Sequence, residues 1–394
     1  MNKIHLAYKK TLWVLGIFIV VSCNLGLDWH YDASPRIEAL GNDFAGVLND
    51  PPTDIEIRNP AGLEGYRALI IQHKGHHYYW EMPLNFVFFY NHFGLALRYG
   101  GYYFFNTNPE NPRNQFYRFN LSGFWSKGNF GLQYDFFIDD LSSDYALSDT
   151  NQRNENLNFH SITLGWRPTK TNGFDFRFRF GLGYYDSTNS QFIAGQQTIT
   201  KQTNFFIPSS QLGVSYEKEV IDNGRLNLLL DFGGPASGFE LRRLPISFPR
   251  TARRDEEGKP TPLNIFANSF STRIASALTL KPSHALLVAF GVNDFWSGAR
   301  TNESNPTVIW SNFFALPLAI EYQLTENVTL RGGVRAEYYY QYSKEQIAKT
   351  ISYWWRSQNF GLGLHLAQNW YLDLTSLTNP LDIESIDLAL RKEW

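Results

Sequence analysis

The sequence predicts an all-β protein: a transmembrane antiparallel β-barrel of 14 to 16 strands, preceded by a short helical plug. Three observations lead there. Aromatic residues make up 16% of the 394-residue chain, yet only 18% are charged and the mean hydropathy is negative, at −0.32. Apolar and polar residues alternate with period two along most of the chain, and the connections between alternating stretches are short and long in turn. So much apolar surface excludes disorder. Beyond the first two dozen positions no apolar run reaches about 18 residues, which excludes a helical membrane protein.

Residues 1–22 read as an export signal. Lys3, Lys9 and Lys10 precede the apolar run Thr11 to Ser22, a basic region followed by a short hydrophobic one. Removing them takes away three lysines and no acid, moving the formal charge from −2 to about −5 and arguing against nucleic acid as a partner. Cys23, the single cysteine, follows Val20-Val21-Ser22 in a pattern that resembles a lipobox, so it is a candidate for lipidation. The other reading is cleavage nearby at small residues. With no second cysteine there is no disulfide, and the fold must hold by packing or sheet closure.

Residues 23–65 carry a different pattern. Ile37, Leu40, Phe44, Val47 and Leu48 have helical spacing, and a turn-rich stretch follows. About forty residues are too few for a domain but suit a plug in the lumen of a wide barrel or at its mouth. In Asn59-Pro60-Ala61-Gly62-Leu63, Asn59 can cap or turn the chain, Pro60 fixes φ and Gly62 permits a left-handed bend before the first strand. The bland alternative is a linker turn.

The run Arg36 to Leu63, with Leu40-Gly41, Phe44-Ala45, Val47, Asp50 and Asn59 to Leu63, resembles the N-terminal hatch of FadL-type outer-membrane transporters of long-chain fatty acids and other hydrophobic compounds. PorV-like proteins of a secretion system share that pattern. The match covers roughly thirty residues by motif and the rest by architecture; Asn42-Asp43 and Pro51-Pro52 depart from it. The resemblance implies a fourteen-stranded barrel, a hatch, and a kink in the third strand that lets ligand leave sideways into the membrane.

The barrel is assigned to residues 66–394. Its clearest strand is Phe174 to Phe180, FDFRFRF, where phenylalanines alternate with Asp175, Arg177 and Arg179. Neither a soluble core nor a water-facing surface accommodates that; a strand with lipid on one face and a wet lumen on the other does. Leu226 to Phe232, Phe314 to Tyr322, Val328 to Arg335 and Trp370 to Thr375 follow the same rule, and i, i+2, i+4 apolar spacing fits no helix. Short polar turns fall near Asn91-His92, Ser126 to Asn129, Pro168 to Gly173, Val220 to Gly224, Lys281 to His284, Leu324 to Asn327 and Ala367 to Asn369. Longer loops fall near 74–80, 105–113, 139–154, 187–202, 233–264, 297–307 and 341–350. That alternation matches short periplasmic turns and long extracellular loops, and the strand count comes to about sixteen. At the end, Ile386, Leu388 and Leu390 share one face before the terminal Trp394, resembling the signal read by barrel-insertion machinery; Lys392 departs from it.

The alternation places Arg98, Arg118, Arg177, Arg179, Arg331 and Arg335 in the lumen, with Arg273, Arg391 and the acids Asp135, Asp231, Glu321, Glu337, Asp373 and Asp387. Most are expected to pair across neighbouring strands; the basic excess leaves room for a carboxylate head group. Gly100-Gly101 interrupt the third strand and are the candidate lateral gate, or a simple packing accommodation. The histidines of His73 to His77 read as a surface loop rather than a metal site, and the arginine-rich loop 233–264 as a solvated one. His365 with Asp373 on the next strand is the nearest thing to a catalytic pair, but no serine sits in a nucleophile motif. The expectation is therefore no enzyme, no cofactor and no metal. It is passive transport of long-chain fatty acids or other hydrophobic small molecules across the outer membrane, with outer-membrane lipid, that ligand and the insertion machinery as partners. The alternative is a non-transporting barrel, a PorV-like secretion scaffold or a surface adhesin.

Overall fold

The computed structural model describes residues 36, 40, 59–73, 84–104, 113–144, 151–169, 173–193, 196–221, 223–234, 269–300, 308–343, 351–367, 369–376 and 386–394. Sixteen strands follow one another: β1 (Tyr66–His73), β2 (Leu84–Asn91), β3 (Phe93–Phe104), β4 (Arg113–Lys127), β5 (Phe130–Asp144), β6 (Asn151–Trp166), β7 (Gly173–Ile193) and β8 (Gln196–Ile221). Then come β9 (Gly224–Gly234), β10 (Ser269–Ser283), β11 (Leu286–Arg300), β12 (Val308–Thr325), β13 (Val328–Ser343), β14 (Ile351–Ala367), β15 (Trp370–Ser376) and β16 (Ile386–Glu393). Each pairs antiparallel with its sequence neighbours, and β1 with β16 closes the barrel in the register Ile70↔Arg391. Sixteen is the upper end of the range expected from the pattern and two more than the resemblance implies.

Period two decides which way each side chain points. On β9, Leu228, Leu230 and Phe232 are exposed on the outside while Asn227 and Asp231 are buried inside. On β7, Phe174, Phe178 and Phe180 face out and Arg177 faces in. Closure satisfies every strand edge, which a bilayer demands because its interior offers backbone groups no water.

The short turns lie where the sequence places them. Asn91, Asn223, Asn369 and Gly128 hold positive φ, between 56° and 66°, the conformation tight hairpins need. The turns are stitched to the next hairpin: His92 O accepts from Ser126 N at 2.8 Å, Asn129 O from Arg167 N at 2.8 Å and Asn327 O from His365 N at 2.9 Å. This two-residue-turn end, which also holds the start of β1 and the end of β16, is the periplasmic rim.

Three local expectations change. The loop expected over 187–202 is largely strand, because β7 runs to Ile193 and β8 starts at Gln196, pairing Thr188↔Gln202 and Gln191↔Thr198. Its Ser, Thr, Asn and Gln side chains carry no apolar face to mark it as sheet, yet its backbone pairs normally. The left-handed bend before β1 is at Gly65 (φ 79°), not Gly62, since Gly62 lies inside a 3-10 turn that must finish before the chain swings into the wall. Lys392 sits with its ammonium 5.2 Å from the Trp370 ring centre, so the cation caps an aromatic at the rim. Lys392→Ala should cost about 0.5–1 kcal/mol, read as a small drop in the temperature at which the folded band disappears on a gel.

The helical spacing at 37–48 falls outside the described residues except for Leu40, whose amide donates to Arg36 O at 3.2 Å, one helical turn. Residues 1–35, with the export signal and Cys23, lie outside them too.

Candidate functional site

The lumen is built from the inward positions of the strands, and the chain's own N-terminal region enters it at two places. The first is Asn59–Leu63. Asn59 Oδ1 accepts from Ala61 N at 3.0 Å, which caps the 3-10 turn Pro60–Leu63. Asn59 Nδ2 donates to the carbonyls of Phe176 (3.0 Å) and Trp166 (3.3 Å), tying the turn to β6 and β7. Ser126 Oγ donates to Ala61 O at 3.3 Å, and Gly128 N to Glu64 Oε1 at 3.0 Å. Room for the turn comes from Gly131 and Gly165, paired across β5 and β6 on the inward face. A Cβ at Gly131 would lie 2.2 Å from Ala61 N, and one at Gly165 only 1.8 Å from Asn59 Oδ1. Pro60, Ala61 and Leu63 are buried there.

The second place is on the far wall. β5 and β12 stand seven strands apart in the ring of sixteen. Leu40, wholly buried, packs in a cluster with Leu229, Ala275, Ala277, Ala289 and Ala319, with Leu287 at its edge. Beside it Arg36 forks onto Glu321 of β12, Nε to Oε2 at 2.8 Å and Nη2 to Oε1 at 3.3 Å.

Charges elsewhere on the inner wall are largely matched. Glu321 Oε2 also accepts from Arg331 Nε at 2.8 Å, and Arg331 Nη1 donates to Asp373. Arg177 Nη2 meets Asp231 Oδ1 at 2.6 Å. Buried Asp135 accepts from Ser122 (2.6 Å), Gln133 (2.8 Å) and Ser161 (3.2 Å), with Arg179 at 3.7 Å. Arg273 Nε donates to Asn293 Oδ1 at 3.0 Å. Glycines make space for these groups: a Cβ at Gly213 would come 2.5 Å from Asp231 Oδ1, and one at Gly363 2.6 Å from Arg331 Nη2. Such matching gives a stiff wall, because separating one partner would leave the other buried alone.

Of the remaining sequence candidates, Arg98, Arg335 and Asp387 are buried on the wall. The side chains of Arg118 and Glu337, residues 235–264 of the expected loop and residues 74–77 of the histidine cluster lie outside the described residues, while Gly233 and Gly234 of that loop end β9. Gly100 and Gly101 keep an unbroken register with β4, opposite Arg118 and Tyr117, so no bulge interrupts β3 on that side; the paired part of β2 ends at Leu84, opposite Tyr99. His365 and Asp373 do not form a catalytic pair. His365 stacks on Tyr371 at 4.8 Å with Arg391 on the same ring, while Asp373 is committed to Arg331. The Leu40 socket was not legible: Leu229 breaks the alternation of β9, and the alanines carry no directional signal. Two inward glycines on adjacent strands, Gly131 and Gly165, were its counterpart for the Asn59 turn.

No protein-family model and no curated protein matches the chain. Among solved structures it is similar to CdiB from Escherichia coli, at 11% identity over 83% of this chain and 62% of that one, with a TM-score of 0.51. The chain thus spans less than two thirds of CdiB, and the likeness is one of fold. It aligns over 92% of its length, and 99% of the other, with a Pseudomonas aeruginosa FadL homologue at 9% identity and a TM-score of 0.45. With the Pseudomonas putida toluene transporter TodX it aligns over 93% and 97% at 11% identity and a TM-score of 0.43. Those two scores are too low to establish a common topology. Closure of all sixteen strands, an apolar exterior and a charged interior make this chain a transmembrane β-barrel of the bacterial outer membrane, with part of its own N-terminal region held in the lumen.

Proposed function

We propose that the protein is a passive outer-membrane channel for hydrophobic small molecules, with residues 1–22 as a removed export signal, 23–65 as the plug and 66–394 as the conducting barrel. One observation carries the reading. The plug region is seated at two separate sockets on facing walls, one shaped by paired glycines and one by leucine and alanines. Sockets of this kind hold a plug in the lumen without making it part of the wall, which is what a barrel that conducts needs. The apolar floor under Leu40 is also the kind of surface a hydrophobic solute can use once the plug moves. Long-chain fatty acids are the proposed cargo because the run Arg36 to Leu63 resembles the hatch of FadL-type transporters. Gly100-Gly101, adjacent glycines within β3, are the proposed site of sideways exit.

The second reading, a rigid secretion scaffold or adhesin, is favoured by the extent of ion pairing across the wall. Uptake of labelled fatty acids and of labelled monoaromatics by a strain lacking this gene, with and without it restored, separates the two. Restoration should raise uptake of at least one class severalfold; equal uptake of both classes in both strains would leave the scaffold reading standing.

A further inference from the structure

The outward face of the periplasmic rim is uneven in charge. At the closing seam, where β16 meets β1, two cations stand on adjacent strands. Lys392 lies opposite Trp370 on one side and Leu69 on the other, and Phe88 continues that row onto β2. One row nearer the periplasm come Trp394, whose amide donates to Arg67 O at 3.4 Å, then Arg67, Tyr90 and Phe93. The row on the membrane side of both is wholly apolar: Leu372, Leu390, Ile71, Phe86 and Leu97. By contrast Leu226, Leu280, Leu286, Leu324 and Val328, outward positions of β9 to β13 at the same end, carry no charge.

Both cations are positioned by aromatic rings. The Lys392 ammonium lies 5.2 Å from the Trp370 ring centre and the Arg67 guanidinium 5.3 Å from that of Tyr90. Arg67 Nε donates to Asn91 Oδ1 at 2.6 Å, which leaves its Nη groups with donors for a further acceptor. Trp394 meets Phe88 edge-on at 6.2 Å and closes the patch between the two rows. Glu393 points into the lumen, where it meets Arg391 Nε at 3.4 Å, so it does not neutralise the pair. Even with a carboxylate at the end of Trp394 the two rows are net positive. We propose that this patch binds the phosphodiester head group of an anionic phospholipid in the periplasmic leaflet, with Arg67 and Lys392 on the phosphate and Trp370, Tyr90 and Trp394 against the glycerol region. Depth favours a lipid over a dissolved anion. Amphipathic rings settle at head-group level, cations there attract anionic lipid, and the apolar row beside them receives acyl chains that inorganic phosphate does not have.

The site needs only a barrel in the outer membrane and is independent of what the lumen conducts. The full-length folded protein in detergent is titrated with phosphatidylglycerol or phosphatidylcholine, and bound lipid is counted by native mass spectrometry. Wild type should prefer phosphatidylglycerol about tenfold or more; Arg67→Gln and Lys392→Gln should each lower that preference about fivefold, and the double variant should bring it near parity. Lys218→Gln removes an outward, exposed cation of the same rim on β8 and should change nothing. Wild-type protein in vesicles containing phosphatidylglycerol with a photoreactive head group should be labelled on β16 and β1, a readout that requires no variant to fold. Equal affinity of wild type for the two lipids, a loss in Lys218→Gln as large as in the double variant, or labelling spread evenly around the rim would overturn the site. So would displacement of the lipid by millimolar inorganic phosphate, which would make a free anion the ligand. A double variant that never reaches the folded form, alongside a wild type without lipid preference, would assign these side chains to assembly instead.

Discussion

Gly131→Val should unseat the Pro60–Leu63 turn and leave the barrel standing. The new Cβ would meet Ala61 N at 2.2 Å and the Pro60 carbonyl carbon at 2.3 Å, both backbone atoms that no side-chain rotation can clear. Moving the turn off β5 gives up the Asn59, Ser126 and Glu64 hydrogen bonds to the wall. At roughly 0.5–1.5 kcal/mol for each of the four, their loss shifts the ratio of seated to unseated plug by about 2–6 kcal/mol, at least some thirtyfold. Single-channel recording should show a nearly permanently open state, while the folded band survives detergent at the wild-type temperature. Gly123→Ala is the matched control, since nothing lies within 4 Å of the Cβ it adds; equal opening in the two variants would refute the steric key.

Arg331→Leu should have the largest effect on stability. This guanidinium on β13 lies between Glu321 on β12 and Asp373 on β15, reaching across Gly363 of β14, and all three are buried or nearly so. Removing it leaves Asp373 without the cation that its position presupposes, at a cost of about 3 kcal/mol. Arg331→Lys should recover little, because an ammonium cannot offer two fixed donors to two carboxylates at once. Arg331→Leu combined with Asp373→Leu should recover most of the loss, since an apolar pair in place of a buried ionic one is often near neutral. Thermal melting of the folded form in detergent checks the series; a double variant no more stable than the single one would show that the defect is packing rather than orphaned charge.

The barrel was legible because its physics is written with a two-residue period. FDFRFRF could satisfy only a wall with lipid on one side and charge on the other, and Asn91, Asn223 and Asn369 mark turns by a conformation few residues tolerate. The extended hairpin between Ser187 and Gln202 was not, because polar strands outside the hydrocarbon have no apolar face to betray them. The plug was half legible. Asn59 announced a cap within its own few residues, but the recipients of its amide, Trp166 and Phe176, are brought to it only by the barrel register. Gly131 and Gly165 acquire meaning as a pair for the same reason. Arg36 had no visible role, because its partner Glu321 is far away in sequence and its importance lies in a carboxylate already shared with Arg331. Periodic and local information reads directly from sequence; information that depends on ring closure does not.

The hairpin of β7 and β8 has a consequence for what the cell shows its surroundings. A hydrocarbon band takes about ten residues of a tilted strand, and β7 and β8 run for 21 and 26. The surplus projects outward, on the order of 30 Å measured along the strand, a height comparable with the sugar layer that shields a Gram-negative surface. Its far end pairs Ser190 with Ile199, Gln191 with Thr198, Phe192 with Gln197 and Ile193 with Gln196, none of them charged. An antibody, a phage tail fibre or a neighbouring cell can therefore touch this ribbon well above the hydrocarbon band, so immune and viral pressure is expected on a part of the molecule that the wall within the membrane does not need.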